Sequence, residues 1–419
     1  MGAHLRRNVA TFVTAEGFSG LSMGLVAPMT VMAVLLHENG AQPWMIGSIT
    51  AIQGGASILP QALGIYLFRS NRRRKVNLVL WSLTMISPVP LVMAALVHWS
   101  PQLGSASMCW GLFCCFLLFT LAGGTVGAVW MDWMAHLFEQ RVRGRVYGVV
   151  FGCWNIAAAA AAIIAGAVLM AYPGNAGFAI LYLASGLLLF VGNSIFLAAR
   201  DPAQFVEEAP IRVDIIEMFS QFAHSLQRRN FRDFLIGRLL TTLGLGITPF
   251  IIIYYLSADG GELEKARIIQ LSAGEWIMRS VALIGIGWIG DRWGHRFGIL
   301  LGTSLQTLTL LLVVTTSGPW SCLAVYALLG LCIGASSVSH YNLLCETCPH
   351  DNRKAHIAAG NLVMLPGMIL VPILAGVLVE YYGITGLMWV SLIISAVALV
   401  WFAFRFQEPR TMPRFPEHA

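Results

Sequence analysis

Long apolar stretches alternate with short polar segments along the whole chain. We count twelve such stretches, and each is near or above the ~20 residues that a helix needs to cross the hydrocarbon core of a bilayer. The stretches lie at residues 9–36, 43–68, 77–98, 106–137, 146–171, 176–199, 232–256, 268–290, 298–316, 319–346, 356–380 and 384–406. The pattern predicts an all-α membrane protein with twelve transmembrane helices.

The polar segments differ in charge, and the difference predicts the orientation of the chain. All but four of the 26 Lys and Arg residues lie in every second segment or, like Arg232 and Arg405, at the edge of the adjoining stretch. The segments between hold only Lys265 and Arg267, while Arg238 and Arg279 fall inside apolar stretches. By the positive-inside rule, both termini are cytoplasmic.

Composition leaves almost no room for a soluble domain. Hydrophobic residues make up 57% of the chain and charged residues 11%, against about 25% charged in ordinary soluble domains. The net charge of +6 follows from topology, because the excess faces an anionic leaflet, and it calls for no nucleic acid. We expect a multi-pass protein of the bacterial inner membrane.

The chain repeats itself at half length. Arg6-Arg7-Asn8 opens the first stretch and Arg228-Arg229-Asn230 opens the seventh, an offset of 222, with Gly24 matching Gly246. Such a repeat predicts two pseudo-symmetric six-helix halves with a pathway between them. The predicted units are the halves 1–199 and 231–406, a linker at 200–230 and a cytoplasmic tail at 407–419.

Two segments admit two interpretations each. The linker places apolar residues on one helical face, which is typical of an amphipathic helix on the cytoplasmic surface, although it could equally be a simple tether. The alanine run 157–162 favours close helix packing. It belongs either where the halves meet and slide or at a static contact.

The segment after the eighth stretch carries a motif. Gly287-Trp-Ile-Gly-Asp291-Arg292-Trp-Gly294-His-Arg296 resembles the Gly-x-x-x-Asp-Arg-x-Gly-x-Arg loop of the major facilitator superfamily. The corresponding segment after the second stretch, 64–75, keeps the glycine and the basic run but lacks the aspartate and the second glycine.

The resemblance implies the major facilitator fold and a secondary transporter that works by alternating access about a central site. It also implies that the loop residues act in gating: Gly287, Asp291, Arg292, Gly294 and Arg296, with Asp132 as a partner for Arg73. The competing interpretation is a set of static surface ion pairs, each of which contributes about 0–1 kcal/mol. We expect a monomer in the lipid bilayer.

Charged residues within the stretches are the candidates for the substrate and ion pathway. A charge at mid-bilayer costs about 2.5–3.5 kcal/mol of insertion free energy, so we expect each one to have a functional or structural role. Glu16 and Arg238 occupy equivalent positions in the two halves. Because the first and seventh helices face each other in the family fold, we expect these two to meet, directly or through substrate, on the cytoplasmic side.

Glu275 and Arg279, four residues apart in the eighth stretch, share one helical face. A carboxylate whose partner moves changes its proton affinity with conformation, as proton coupling requires. A permanently closed pair that orients the helix is the other interpretation. His340 is a further candidate, since its charge changes near physiological pH, or it is a packing residue.

Motifs for other chemistries are absent from the sequence. It contains no phosphate-binding loop, no His-Glu-x-x-His helix and no Gly-x-Ser-x-Gly elbow. We therefore predict neither an enzyme nor a cofactor or metal site. The predicted function is secondary transport of a small polar or charged solute, with protons as a possible coupling ion. The alternative is a membrane sensor or assembly factor that uses the same fold without transport, because fold does not fix function.

Overall fold

Every regular element in the described part of the chain is a helix, which confirms the all-α prediction. The computed structural model describes residues 3–68, 74–138, 140–200, 226–347 and 353–411. The N-terminal half contains α1 (Ala3–Leu25), α2 (Ala33–Glu38), α3 (Pro43–Ala51), α4 (Gln61–Leu67), α5 (Arg74–Trp81), α6 (Pro88–His98), α7 (Ser100–Leu103), α8 (Ser105–Leu137), α9 (Gln140–Ala171) and α10 (Asn175–Ile195). The C-terminal half contains α11 (Arg229–Gly244), α12 (Thr248–Leu256), α13 (Lys265–Leu271), α14 (Ala273–Trp293), α15 (His295–Thr315), α16 (Pro319–Thr347) and α17 (Arg353–Phe404). Most of the predicted linker lies outside the described residues.

Nine helical stretches in the described residues are long and apolar enough to cross a membrane, against the twelve predicted. The second predicted stretch is interrupted by a π-helical turn at Ile52–Ala56, between α3 and α4. The eighth corresponds to α13 and α14, whose apolar character is lowered by Glu275 and Arg279. The last two form the single element α17, in which Gly383 breaks the helix with φ 72° and ψ 174°.

The first and seventh predicted stretches break at equivalent prolines. Pro28 opens a π-helical turn, Pro28–Met32, between α1 and α2. Pro249 lies in the first turn of α12, directly after the short 3₁₀ segment Leu245–Ile247. Proline lacks the backbone N–H that would continue the preceding helix. The two halves therefore bend at matching points, as the repeat predicts.

Matching asparagines close each half at the side of the molecule that carries the chain ends, which we call the terminal side. Asn8 donates from Nδ2 to the Arg200 carbonyl at 3.0 Å and accepts from the Arg200 N–H at 2.9 Å. Asn230 makes the same pair of bonds to Gln407, at 3.1 and 2.9 Å. One amide side chain thus ties the first helix of each half to the chain just beyond its last helix.

The halves share one hydrophobic core on the side opposite the chain ends, which we call the far side. This shared core joins Val31 and Ile46 of the N-terminal half to Ile251 and Ile268 of the C-terminal half, all of them buried. The helices also approach closely there: a methyl group at Gly47 of α3 would lie 2.2 Å from the Pro372 carbonyl oxygen of α17. The contact between the halves is therefore tight and apolar.

On the terminal side each half has its own core. In the N-terminal half Phe12 packs against Trp133 and Phe196, with ring centroids 5.1 Å from each. In the C-terminal half Phe234 and Phe402 pack around Phe406. These two clusters are separate from each other. The halves are thus joined on the far side and have independent cores on the terminal side.

Candidate functional site

Glu275 and Arg279 form an ion pair one turn apart on α14. The Arg279 Nη2 donates to the Glu275 Oε1, and Glu275 is only 7% exposed. The Arg279 guanidinium also lies over the Trp276 ring, 4.6 Å from its centroid. The predicted pair therefore forms, buried and backed by an indole.

The pair sits where α14 and α16 approach most closely. A methyl group at Gly330 of α16 would lie 2.1 Å from the Glu275 carbonyl oxygen. Tyr326, one turn earlier on α16, lies within electrostatic range of Glu275. Its buried hydroxyl and the buried Arg279 Nε have no hydrogen-bond partner among the residues that the structure describes. Two donors beside the pair are therefore available for a further acceptor.

Two tryptophans join the halves next to this pair. The ring of Trp276 meets that of Trp154 on α9 edge to face, with centroids 5.3 Å apart. Ala158 and Ala162, from the alanine run, pack against Ala273 in the same cluster. The run therefore lies where the halves meet, a location that agrees with a sliding contact and with a static one.

Glu16 is half-buried on α1 and is not paired with Arg238. In the described part of the chain it has neither an ion pair nor a side-chain hydrogen bond. The helix turns that follow it pack tightly on α9, because methyl groups at Gly20 and Gly24 would each lie 2.2 Å from an α9 carbonyl oxygen. The expected direct meeting of Glu16 and Arg238 does not occur in this conformation.

Arg238 lies instead near His340, within electrostatic range. The His340 ring packs against Phe234 and Phe402 of the C-half core, with centroid distances of 6.1 and 6.5 Å. Its Nε2 is buried without a hydrogen-bond partner among the described residues. The structure therefore brings together two predicted residues, Arg238 and His340, that the sequence gave no reason to associate.

The motif loop between α14 and α15 turns at Gly294, which has φ 91° and ψ 153°. Any residue with a side chain would be strained in this backbone conformation. Arg296 donates from Nη2 to the Ala403 carbonyl at 2.8 Å. This carbonyl lies in the last turn of α17, where the helix dipole favours a cation. Arg292 is exposed and lies 6.0 Å from the Trp288 ring centroid. The loop thus binds its own half.

The structure describes the remaining predicted gating residues in part. Asp132 lies at the terminal end of α8, where its carboxylate is 3.5 Å from the His136 ring. Gly287 lies within α14 with open space beside it. Arg73 lies outside the described residues, and of Asp291 only the helical backbone is described.

The sequence analysis missed the residues that hold the motif loop from the C-terminal end. The Glu408 carboxylate accepts from the Arg296 backbone N–H at 2.9 Å. Arg410 pairs with Glu346 at the end of α16, at 2.7 Å, and donates to the Gly290 carbonyl at 3.2 Å. No local pattern marks these residues, since all of their partners are distant in sequence.

An ion pair between the halves was also missed. Lys265 of α13 binds both carboxylate oxygens of Glu38 on α2 at 2.8 Å, on the far side. The Lys265 ammonium also lies 5.3 Å from the Phe178 ring centroid. The signal for this residue was the scarcity of charge on that side, where the sequence places only Lys265 and Arg267.

The comparisons with known proteins identify the fold. Residues 234–419 match the family model of the Major Facilitator Superfamily. No curated protein sequence matches the chain. Among solved structures, the nucleoside transporter NupG is similar with a TM-score of 0.71 and 14% identity, over 95% of this chain and 100% of that one.

Two further transporters have the same fold. A POT family transporter in complex with 5-aminolevulinic acid gives a TM-score of 0.68 at 12% identity, with 95% of each chain covered. A bacterial homologue of the human lysosomal transporter Spinster, inward-facing and occupied, gives 0.64 at 11% identity, with 97% of each chain covered. At these identities the likeness establishes the fold alone.

Proposed function

We propose that the chain belongs to the major facilitator superfamily, whose family model matches residues 234–419, and that it is a secondary active transporter. It moves a small polar or charged solute across the cytoplasmic membrane by alternating access. Its relatives by fold are solute transporters. Nothing in its sequence supports an enzyme.

One observation carries this proposal: the halves share a core on the far side and have independent cores on the terminal side. The buried Glu275–Arg279 pair lies beside the Trp154–Trp276 contact between the halves. A solute that enters from the terminal side reaches that pair before it reaches the shared core. With the terminal side cytoplasmic, by the distribution of basic residues, this conformation is open to the cytoplasm.

The ion pair supplies the means of recognition. A charged solute replaces one member of the pair as partner of the other, so that the buried charges stay compensated. The unpartnered Arg279 Nε and Tyr326 hydroxyl beside the pair add donors for an acidic group. Arg238, with His340 beside it, adds a cation nearer the terminal side.

Proton coupling through Glu16 or Glu275 is part of the proposal. A carboxylate within the membrane that lacks a counter-charge, as Glu16 does among the described residues, is costly when ionised. Proton binding relieves that cost. If Glu16→Gln and Glu275→Gln both sustain gradient-driven accumulation of the solute at the wild-type level, protons are not coupled through these residues.

The test of transport is untargeted metabolite profiling, inside and outside cells that express the wild type, Glu275→Gln or Arg238→Ala at matched protein levels. Glu264→Gln and Arg267→Ala, which change exposed residues on the far side, serve as matched controls. We expect a solute that the wild type and both controls redistribute and that the two pathway variants do not. If no solute moves under several growth conditions, the sensor or assembly alternative replaces transport.

A further inference from the structure

An apolar recess opens inside the N-terminal half, next to the contact between the halves. It has a volume of about 190 Å³ and is walled by α1, α6, α8, α9 and α10. Met23, Phe119 and Trp154 are partly exposed in it. Two of its three serines, Ser22 and Ser185, are buried and bonded to each other at 2.7 Å. Walls of methionine and aromatic residues adapt to apolar groups of varied shape.

The recess is large enough for one aromatic ring. An engineered apolar cavity of about 150 Å³ in another protein stays dry and binds benzene. Water, by contrast, needs two to four polar partners. Of the polar groups in the lining, the Ser22 and Ser185 hydroxyls engage each other, which leaves Ser19 and the buried Tyr182 hydroxyl. The recess therefore suits an uncharged aliphatic or aromatic group better than it suits solvent.

Trp154 connects the recess to the ion pair. It lines the recess, and its ring meets that of Trp276 at 5.3 Å. The Arg279 guanidinium lies on the Trp276 ring at 4.6 Å, and Glu275 is paired with Arg279. Two contacts, Arg279 with the Trp276 ring and Trp276 with the Trp154 ring, thus connect the ion pair to the apolar recess.

We propose that the transported solute is a zwitterion with an apolar side group, of the α-amino acid type. Its carboxylate binds Arg279, its ammonium binds Glu275, and its side group fills the recess beyond Trp154. The two charges of the pair lie on adjacent helical turns, which matches charges of opposite sign carried on neighbouring atoms of one small molecule. This inference rests on the proposed function and specifies its substrate class.

The probe is tritiated L-phenylalanine, and its saturable binding is measured by scintillation proximity on the purified full chain in nanodiscs. Unlabelled L-phenylalanine and L-alanine compete with it, and empty nanodiscs give the background. Burying a phenyl side chain contributes about 1.5–3 kcal/mol. We therefore expect L-phenylalanine to compete at least about tenfold better than L-alanine.

Two leucines on α10 give a matched pair of variants. Leu189 lines the recess and is 8% exposed, whereas Leu187, two residues earlier, is 54% exposed on the outer surface. Leu189→Trp fills the recess, so the preference for L-phenylalanine over L-alanine disappears while L-alanine still binds. Leu187→Trp retains the wild-type preference. Glu275→Gln weakens the binding of both amino acids by the same factor.

If Leu189→Trp does not fold, Leu189→Ala decides the question by enlarging the recess. It should shift competition in favour of L-tryptophan over L-phenylalanine. The inference is overturned if the wild type binds no L-phenylalanine saturably, or if the preference survives Leu189→Trp. It is also overturned if metabolite profiling identifies a solute without this chemistry, an outcome that leaves transport itself intact. A profile in which nothing moves overturns the proposed function instead.

Discussion

Single glycines on α1 set the distance between α1 and α9. Methyl groups at Gly20 and Gly24 would meet carbonyl oxygens of Trp154 and Ala158 at 2.2 Å, whereas one at Gly17 would have nothing within 4 Å. The carbonyl oxygens belong to helical backbone and cannot turn aside as side chains do. Close approach of helix backbones is how membrane helices gain packing energy without a hydrophobic driving force.

We therefore expect Gly24→Ala to destabilise the protein, because the added methyl group must separate α1 from α9. Overpacking of this kind costs about 1–3 kcal/mol. Gly17→Ala, seven residues away on the same helix, should be neutral or slightly stabilising, since alanine favours helix over glycine. Thermal unfolding of the detergent-solubilised protein measures both. Equal melting temperatures for the two variants would contradict this account of the packing.

Some single residues could be predicted from the sequence and others could not. The repeat marked Asn8 and Asn230 as equivalent, and both close their halves in the same way. The spacing of Glu275 and Arg279 predicted their pairing. The direct pairing of Glu16 with Arg238 was not found, because it depends on how far apart the halves stand on the terminal side. Sequence periodicity carries no information on that distance.

At the scale of elements, α13 and α2 are linked across the halves by the Lys265–Glu38 ion pair. The Lys265 side chain is 20% exposed and the Glu38 side chain 33% exposed, so solvent screens their interaction. Pairs of this kind contribute at most about 1 kcal/mol. That amount is still enough to shift the balance between two conformations of nearly equal free energy.

A charge-reversal cycle tests this link. Lys265→Glu and Glu38→Lys should each lower the melting temperature at low salt, because each places like charges together. The double variant should recover most of the loss. Arg267→Glu, on the same helix but exposed, is the control and should show no coupling to Glu38→Lys. Additive losses in the Lys265–Glu38 cycle would mean that the pair does not hold the halves together.

Elements were predicted well where a local pattern defines them. The motif predicted a loop after the eighth stretch, and it lies between α14 and α15, where Arg296 binds the last turn of α17. The predicted second stretch is helical but not continuous, because the π-helical turn Ile52–Ala56 and the turn that ends at Pro60 interrupt it. The contacts that Glu408 and Arg410 make near the end of the chain could not be predicted. Their partners are more than 60 residues away, and no spacing rule applies to them.

At the scale of the whole molecule, the sequence predicted two pseudo-symmetric halves but not where they touch. Twelve apolar stretches and a half-length repeat suffice for the fold. The location of the shared core depends on which faces of α3, α9, α14 and α17 meet. The sequence does not identify these faces, because a helix face that contacts lipid is as apolar as one that contacts another helix. The lining of the recess likewise combines residues from five helices.

The apolar shared core has a consequence for how the protein responds to its solvent. Opening the far side exposes the residues of that core, and closing the terminal side expels the water between the halves. If the two conformations hold different numbers of water molecules, the equilibrium between them depends on water activity. We expect polyethylene glycol too large to enter the protein to favour the conformation that holds less water. Spin-label distances across both sides, measured under graded osmotic stress, would give the number of water molecules that each cycle takes up and releases. If the two states were equally hydrated, the distances would not change.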